Sequence, residues 1–406
     1  MSAGGLLDPT TVQDPFPFLA ARRAEAPVWT VPGTRLHLVL TRALVVEALG
    51  RTDDLSSNLT ALLYTADDGG PALFDMTALG ANVQTLATAD PPAHTTHRRA
   101  VFPSLVERRM RELEPLARST AVGLAERAVA AGRVDLTASF TDPLPMTVLA
   151  AVLGLPDPDL DRLLAWAFDG TALLAGTNSL ARMAELSAAA ADAGEYLGGV
   201  LAATPPDPDP ERGLVGVVAR AVADAVLTPE EAVSTLVILL GAGGESTTAL
   251  IGNAVRILAE RPDLQADLRA RPERIGAFVE EVLRFESPFT GHYRSVRRDC
   301  TLGGTALCAG DTVLLSWAAA NRDPAHWVDP DRCDPDRADV RDHLGFGRGI
   351  HHCVGAPLAR MEAEVALTTL LAATTSIALD PERPPVHVAS VFVRRHDRLP
   401  VVLTPA

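Results

Sequence analysis

One stretch of the chain concentrates residues able to do chemistry: Phe346-Gly347-Arg348-Gly349-Ile350-His351-His352-Cys353-Val354-Gly355-Ala356. Glycines at 347, 349 and 355 allow tight turns and close backbone approach to a flat ligand. Shortly after Cys353 comes a helix-forming run, APLARMEAEVALTTLL. N–H groups at such a helix start can donate to a sulfur and keep its pKa low. A thiolate in a glycine-rich loop is a good axial ligand for iron. Two alternatives stand beside this. A lone cysteine is commonly an inert buried residue. Zinc held by His343, His351, His352 and Cys353 is the other, although three consecutive residues rarely converge on one tetrahedral ion.

A second unusual segment is Gly241-Ala242-Gly243-Gly244-Glu245-Ser246-Thr247-Thr248. Three interior glycines cost about 1 kcal/mol each relative to alanine. With a carboxylate behind them they predict a local groove or widened turn. Close packing by a neighbouring helix is the alternative.

The elements that position these residues are mostly helical. Apolar spacing predicts helices over 105–131, 140–154, 160–173, 180–203, 212–226, 229–260, 263–269, 273–285 and 356–372. Strand-like pieces fall near 28–31, 36–40, 296–302, 306–308, 312–315 and 386–403. Thr228-Pro229-Glu230-Glu231 is a capping box with proline at the first helical position. The helix it opens should run to about Glu260, about 48 Å at 1.5 Å per residue. The segment 204–210 is the one linker-like stretch, expected as a helix–helix loop. The 406 residues therefore read as one mainly α domain with small β-sheets, despite a length that alone suggests two or three.

Composition narrows the function. Lys plus Arg number 36 against 51 Asp plus Glu, so the formal charge is −15, and every basic residue is arginine. A basic stripe for nucleic acid is not expected from such a chain. The four cysteines form no CxxC or CxxCH motif, which argues against a zinc ribbon and against thioether-linked haem. Neither a signal peptide nor an apolar run of about 18 residues is seen, so a cytoplasmic protein with no membrane association is expected. Thiols then stay reduced and free to act as ligands.

The FGxGxHxCxG pattern of the cysteine loop resembles the haem-binding signature of the cytochrome P450 monooxygenases. Glu281-Val282-Leu283-Arg284 is similar to that family's ExxR motif. Cys333-Asp334-Pro335-Asp336-Arg337 resembles its FDxxR segment, with cysteine in place of phenylalanine. Ala320-Asn321-Arg322-Asp323-Pro324 and Asp90-Pro91-Pro92-Ala93-His94 resemble its soluble bacterial members. The motifs fall in the family's order from about residue 90 to 360.

The resemblance implies a P450 fold with haem b between the long helix and the cysteine-loop helix. It implies Cys353 as the thiolate ligand of iron, with Phe346, Gly347, Gly355, Ala242 and Gly243 against the haem. His94, Arg98, Arg294 and His351 should hold the haem propionates. Glu281, Arg284 and Arg337 should form a buried structural triad. Glu245 and Ser246 should be the acid and alcohol of the proton relay, with Thr247 as a spare. Serine at the alcohol position departs from the family's usual threonine, and loses the methyl that fixes its rotamer.

By the same resemblance, substrate contacts fall at Tyr64, Asn82, Gln84, Phe168, Asn178, Phe289, Thr290, His292 and Phe392. The mix suggests a medium-sized metabolite with polar decoration, although amides often only cap loops. Electrons should arrive from an external ferredoxin and its ferredoxin reductase, received on an arginine face for which Arg108, Arg109, Arg111 and Arg348 are candidates. A monomer using dioxygen is expected. A peroxide-driven peroxygenase is disfavoured by the Glu245-Ser246 pair. A non-catalytic haem-binding scaffold would be expected to lose that pair.

Overall fold

The computed structural model describes residues 5–76, 83–207, 209 and 213–406. Its organising element is the long helix Pro229–Glu260. The capping box closes on both sides. Thr228 Oγ1 accepts from Glu231 N at 3.1 Å, and Glu231 Oε2 accepts from Thr228 N at 2.9 Å. The helix is long and apolar enough to cross a membrane, yet two-thirds of its most apolar window is buried inside the protein. Around it pack the helices Pro143–Leu153, Leu160–Ala172, Leu180–Ala203, Ile275–Phe285 and Ala356–Ala373, and Glu107–Ala131 packs in turn on Ala356–Ala373 and Pro143–Leu153. Their apolar faces form one continuous core.

No groove or widened turn interrupts the long helix at its glycines; α-helix is continuous from end to end. Close packing is the reason. A Cβ on Gly244 would lie 2.7 Å from Met146 and 2.9 Å from Ala167, and one on Gly243 would lie 3.1 Å from Leu149. Helices Pro143–Leu153 and Leu160–Ala172 need those missing side chains to close on the axis.

Beside the helices lies a five-stranded sheet in the order Val28–Thr30, Leu36–Val39, Thr312–Ser316, Gly291–Val296, Leu55–Ser56. Thr312–Ser316 runs parallel to Leu36–Val39 and antiparallel to Gly291–Val296, with Leu314 opposite Tyr293. A second sheet orders Thr374–Leu379, Pro400–Pro405 and Arg133–Asp135. The expected strand over 386–403 resolves into Val386–His387, His396–Arg398 and Pro400–Pro405. Helices Phe16–Glu25 and Arg42–Gly50 and the hairpin Ala61–Thr65/Pro71–Asp75 are not visible in the sequence pattern. They are too short for periodicity to register and depend on tertiary packing.

The cysteine loop is fixed from behind by Arg284, which is fully buried. Its Nε and Nη2 donate to the two Glu281 oxygens at 2.8 and 2.7 Å. Nη1 donates to the carbonyls of Asn321 and Pro330, and Nη2 also to that of Arg332. Glu281 Oε1 accepts further from Arg337 Nε at 3.2 Å and from the Asp334 amide at 2.7 Å. Asn321 carries the constraint onward, because its Oδ1 accepts from Leu344 N at 2.8 Å. Leu344 O in turn accepts from Gly347 N at 2.8 Å, inside the loop.

Removing one partner strands a buried charge, at a cost of about 3–5 kcal/mol. Glu281→Ala should therefore accumulate as haem-free or insoluble protein, read as Soret absorbance per unit protein. Full haem content in that variant would show the triad does not hold the loop.

Candidate functional site

The cysteine loop is drawn tight by its own backbone. Cys353 N donates to Phe346 O at 2.9 Å, and His352 N to Gly349 O at 3.1 Å. Gly347 and Gly349 take φ of +64° and +75°, a region that favours glycine. Burial pushes the Cys353 thiol up, while the N–H groups of Gly355 and Ala356 and the charges of Arg98 and Arg360 draw it down. The Phe346 ring has the Arg360 guanidinium 4.6 Å from its centroid. That guanidinium is held by Glu280 at 2.5 and 3.1 Å, and Glu280 also meets His343 Nε2 at 2.9 Å. Burial would raise Glu280, but the hydrogen bonds from His343 and Arg360 hold it at about 2. Glu280, His343 and Arg360 are supports that the sequence reading did not find.

Midway along the buried long helix, Ile238, Ala242, Gly243 and Ser246 remain partly accessible. Ile238, Ala242 and Ser246 recur every four residues, so they form one stripe, on the face expected to line the haem space. Partly accessible Phe289, Phe346, Cys353 and Gly355 belong to the other segments expected around the same space.

Near Cys353 stands a cluster of basic groups. The His94 and His351 rings lie 4.1 Å apart. Ser57 Oγ is 2.9 Å from His351 Nε2. Arg98 Nη1 donates to His352 O at 2.8 Å. Arg294 Nη1 donates to Tyr293 O at 2.7 Å and lies 3.3 Å from His292 Nδ1. His292, expected at the substrate, thus sits within this cluster. Burial, aided by Arg294, His94, His292 and Arg98, drives His351 down to about 2. Burial and Arg294 drive His292 to about 4, and burial takes Arg294 to about 10. Among the described residues neither Arg98 nor Arg294 forms an ion pair with a carboxylate. Basic groups without an anion, beside a glycine-rich thiolate loop and an open helix stripe, fit a flat cofactor carrying two carboxylates. His94, Arg98, Arg294 and His351 would hold those carboxylates, and Cys353 the metal.

The relay residues diverge. Ser246 is on the accessible stripe, with Oγ donating to Ala242 O at 2.6 Å. Glu245 is buried away from it. Its Oε1 accepts from Arg395 Nε at 2.8 Å and its Oε2 from Thr171 Oγ1. Burial raises Glu245, and Arg395 opposes the shift. Thr247 is buried and its hydroxyl is used by Glu362, whose carboxyl burial raises well above the ordinary range. Nothing in the sequence pointed to Arg395 or Thr171, which lie 150 and 74 residues from Glu245.

Most of the expected substrate contacts are spent on the fold. Gln84 exchanges hydrogen bonds with the Leu59 backbone at 3.2 and 3.3 Å. Asn178 Nδ2 donates to Ala172 O at 2.6 Å. Thr290 Oγ1 donates to Val391 O at 2.5 Å. Phe392 is buried with Phe289 at 5.0 Å, and Phe168 stacks on Arg395 at 3.9 Å. Tyr64 is half-buried in its hairpin. Asn82 lies outside the described residues. Cys300, Cys308 and Cys333 are free thiols, and burial pushes Cys333 to about 12.

The lowered imidazoles set a pH dependence. A histidine whose folded pKa lies below its ordinary 6.5 contributes stability that is whole above pH 6.5 and lost as pH falls toward the folded value. Haem-free protein should therefore lose stability progressively between pH 6.5 and about 4, as His292 and His351 are forced to charge. Haem carboxylates would flatten the slope. Urea midpoints of both forms across that range test this; parallel slopes would remove the imidazoles from the cofactor site.

A cytochrome P450 family model matches residues 273–386. Cytochrome P450 144 of Mycobacterium tuberculosis is 42% identical over 396 residues, spanning 96% of this chain and 89% of the relative. The monooxygenase PikC of Streptomyces venezuelae is 36% identical over 391 residues, spanning 93% and 88%. Among solved structures, a mutant of P450 EryK in complex with erythromycin B superposes with TM-score 0.84 at 30% identity, covering 98% of this chain and 97% of that one. CYP109E1 of Bacillus megaterium in complex with testosterone does so with TM-score 0.84 at 28% identity, covering 97% and 98%. With relatives similar over nearly their whole length and the cysteine loop and basic cluster in place, the chain belongs to the cytochrome P450 family and is a haem-thiolate monooxygenase.

Proposed function

We propose that this monooxygenase oxidises a bulky, largely apolar specialised metabolite, using electrons from an external ferredoxin. One observation carries the substrate reading. The amide and hydroxyl groups of Gln84, Asn178 and Thr290 are engaged with backbone, while Ile238, Ala242, Phe289 and Ser246 stay partly accessible, as do Tyr64 and Phe168. A pocket of that kind selects by shape more than by hydrogen bonds. This revises the polar-decorated substrate suggested by side-chain types alone. Relatives named for mycinamicin hydroxylation and epoxidation and for vitamin D3 25-hydroxylation support a substrate of that size.

When bound, thiolate-ligated haem supplies the reductive activation of dioxygen. The chain's own residues hold it, exclude water and deliver protons. Glu245 is the acid and Ser246 the hydroxyl nearest the cavity, so a proton held on Glu245 reaches the reaction space past Ser246 Oγ. Glu245 must first leave Arg395. Testosterone and a macrolide such as erythromycin B should shift the haem Soret band toward the high-spin form, whereas small polar metabolites should not. The reverse ranking would overturn the apolar pocket.

The ferredoxin reading rests on the surface around the cysteine loop. Ile350 and Phe102 are exposed at 41% and 45%. Arg99, Arg108, Arg111 and Arg348 are exposed on the same segments. An apolar centre ringed by arginine suits an acidic electron carrier. Arg99→Glu with Arg348→Glu should slow ferredoxin association about tenfold at low salt and leave the carbon-monoxide spectrum unchanged. Unaltered association would place the docking face elsewhere.

A further inference from the structure

Glu245 is fully engaged. Arg395 takes one oxygen and Thr171 the other. While both oxygens accept in this way, Glu245 offers no proton. A relay through Glu245 therefore needs a group that accepts Arg395 and supplies the proton.

Such a group stands next to it. Asp142 closes the π-helical turn Thr137–Thr141, where the chain enters the helix Pro143–Leu153. The turn is tied to the long helix by Thr248 Oγ1, which donates to Thr141 O at 2.9 Å. Thr248 lies three residues after Glu245, on the same side of that helix. Asp142 Oδ1 is buried and has no hydrogen-bond partner among the described residues. A bare buried carboxylate oxygen is costly unless it carries a proton or meets a cation.

We propose that Asp142 is the second carboxylate of the relay, exchanging with Glu245 for the single guanidinium of Arg395. The proposal rests on the reading of Glu245 as proton donor. In the exchange, the proton on Asp142 passes through water to the Glu245 carboxylate. Arg395 follows the negative charge from Glu245 to Asp142. One proton, one negative charge and one cation are present before and after, so no net charge is created in the interior. Asp142 is partly exposed and refills from solvent.

The geometry of Arg395 suits the move. Nε holds Glu245 and Nη1 holds His396 O at 3.1 Å, while Nη2 makes no hydrogen bond among the described residues. The guanidinium lies 3.9 Å from the Phe168 ring centroid, a face contact that tolerates sliding in its own plane. The electrostatics agree. Burial lifts Asp142 to about 6, against Arg395 and reinforced by Asp135 and Glu245. Burial also lifts Glu245, again against Arg395. Two lifted carboxylates around one cation share one proton.

The test uses the holoenzyme driven by a surrogate ferredoxin and its reductase, with reductant consumption and hydrogen peroxide release measured in H2O and D2O. Asp142→Asn should slow consumption about tenfold, raise the solvent isotope effect and raise the peroxide fraction. Its carbon-monoxide spectrum should stay unchanged. Asp142→Glu, which keeps the carboxyl, should recover most of the rate; equal loss in both variants marks a structural role and overturns the proposal, as does a normal rate and isotope effect in Asp142→Asn. Glu245→Gln separates the two readings. Normal turnover there removes the relay and Asp142 with it, whereas impairment there with a normal Asp142→Asn keeps Glu245 and rejects Asp142. Infrared spectra of the wild type give a readout independent of turnover and of variant folding. A carboxylic-acid carbonyl band should disappear as pH rises through about 6, and its absence overturns the proposal.

Discussion

Arg284 has five N–H donors and uses all of them in the interior. Two go to Glu281 and three to the carbonyls of Asn321, Pro330 and Arg332. A guanidinium without water is tolerable only when every donor is met and its charge is balanced. That requirement brings the helix Ile275–Phe285, the turn at Asn321 and the segment 330–337 to one point. Asn321 and Leu344 then transmit the position to the cysteine loop. The thiolate's placement is thus inherited from a buried ion pair that takes no part in chemistry.

The long helix is placed by what it lacks. Gly243 and Gly244 let Leu149, Met146 and Ala167 approach its backbone. The same closeness brings helix Leu160–Ala172 within reach, so Thr171 meets Glu245. Packing and acid chemistry are coupled here. The residues that bring the neighbouring helix near also bring the hydroxyl that occupies the carboxylate.

An acidic chain without lysine assigns each arginine a distinct task. Arg284 and Arg337 balance Glu281. Arg98 and Arg294 stand without carboxylate partners among the described residues, beside neutral, down-shifted histidines. Arg395 holds Glu245, and Arg360 rests on Phe346. Planar forks with five donors suit buried anion recognition better than an ammonium does.

Local pattern sufficed where the physics is local. The capping box, the helix periods, the glycine spacing around Cys353 and the three-residue spacing of Glu281 and Arg284 are all functions of neighbouring residues, so the mainly helical fold, the Glu281–Arg284 pairing and Cys353 as candidate ligand were legible from local pattern. The tertiary structure alone decided who meets whom across distance. Arg395 reaches Glu245 from 150 residues away, and His292 joins the basic cluster because a strand register puts it beside Arg294. Gln84, Asn178 and Thr290 look like ligand-binding groups by type, yet nearby backbone claims them first. A side chain's type states what it can bond to. Whether that capacity is still free depends on burial and on partners brought near by folding.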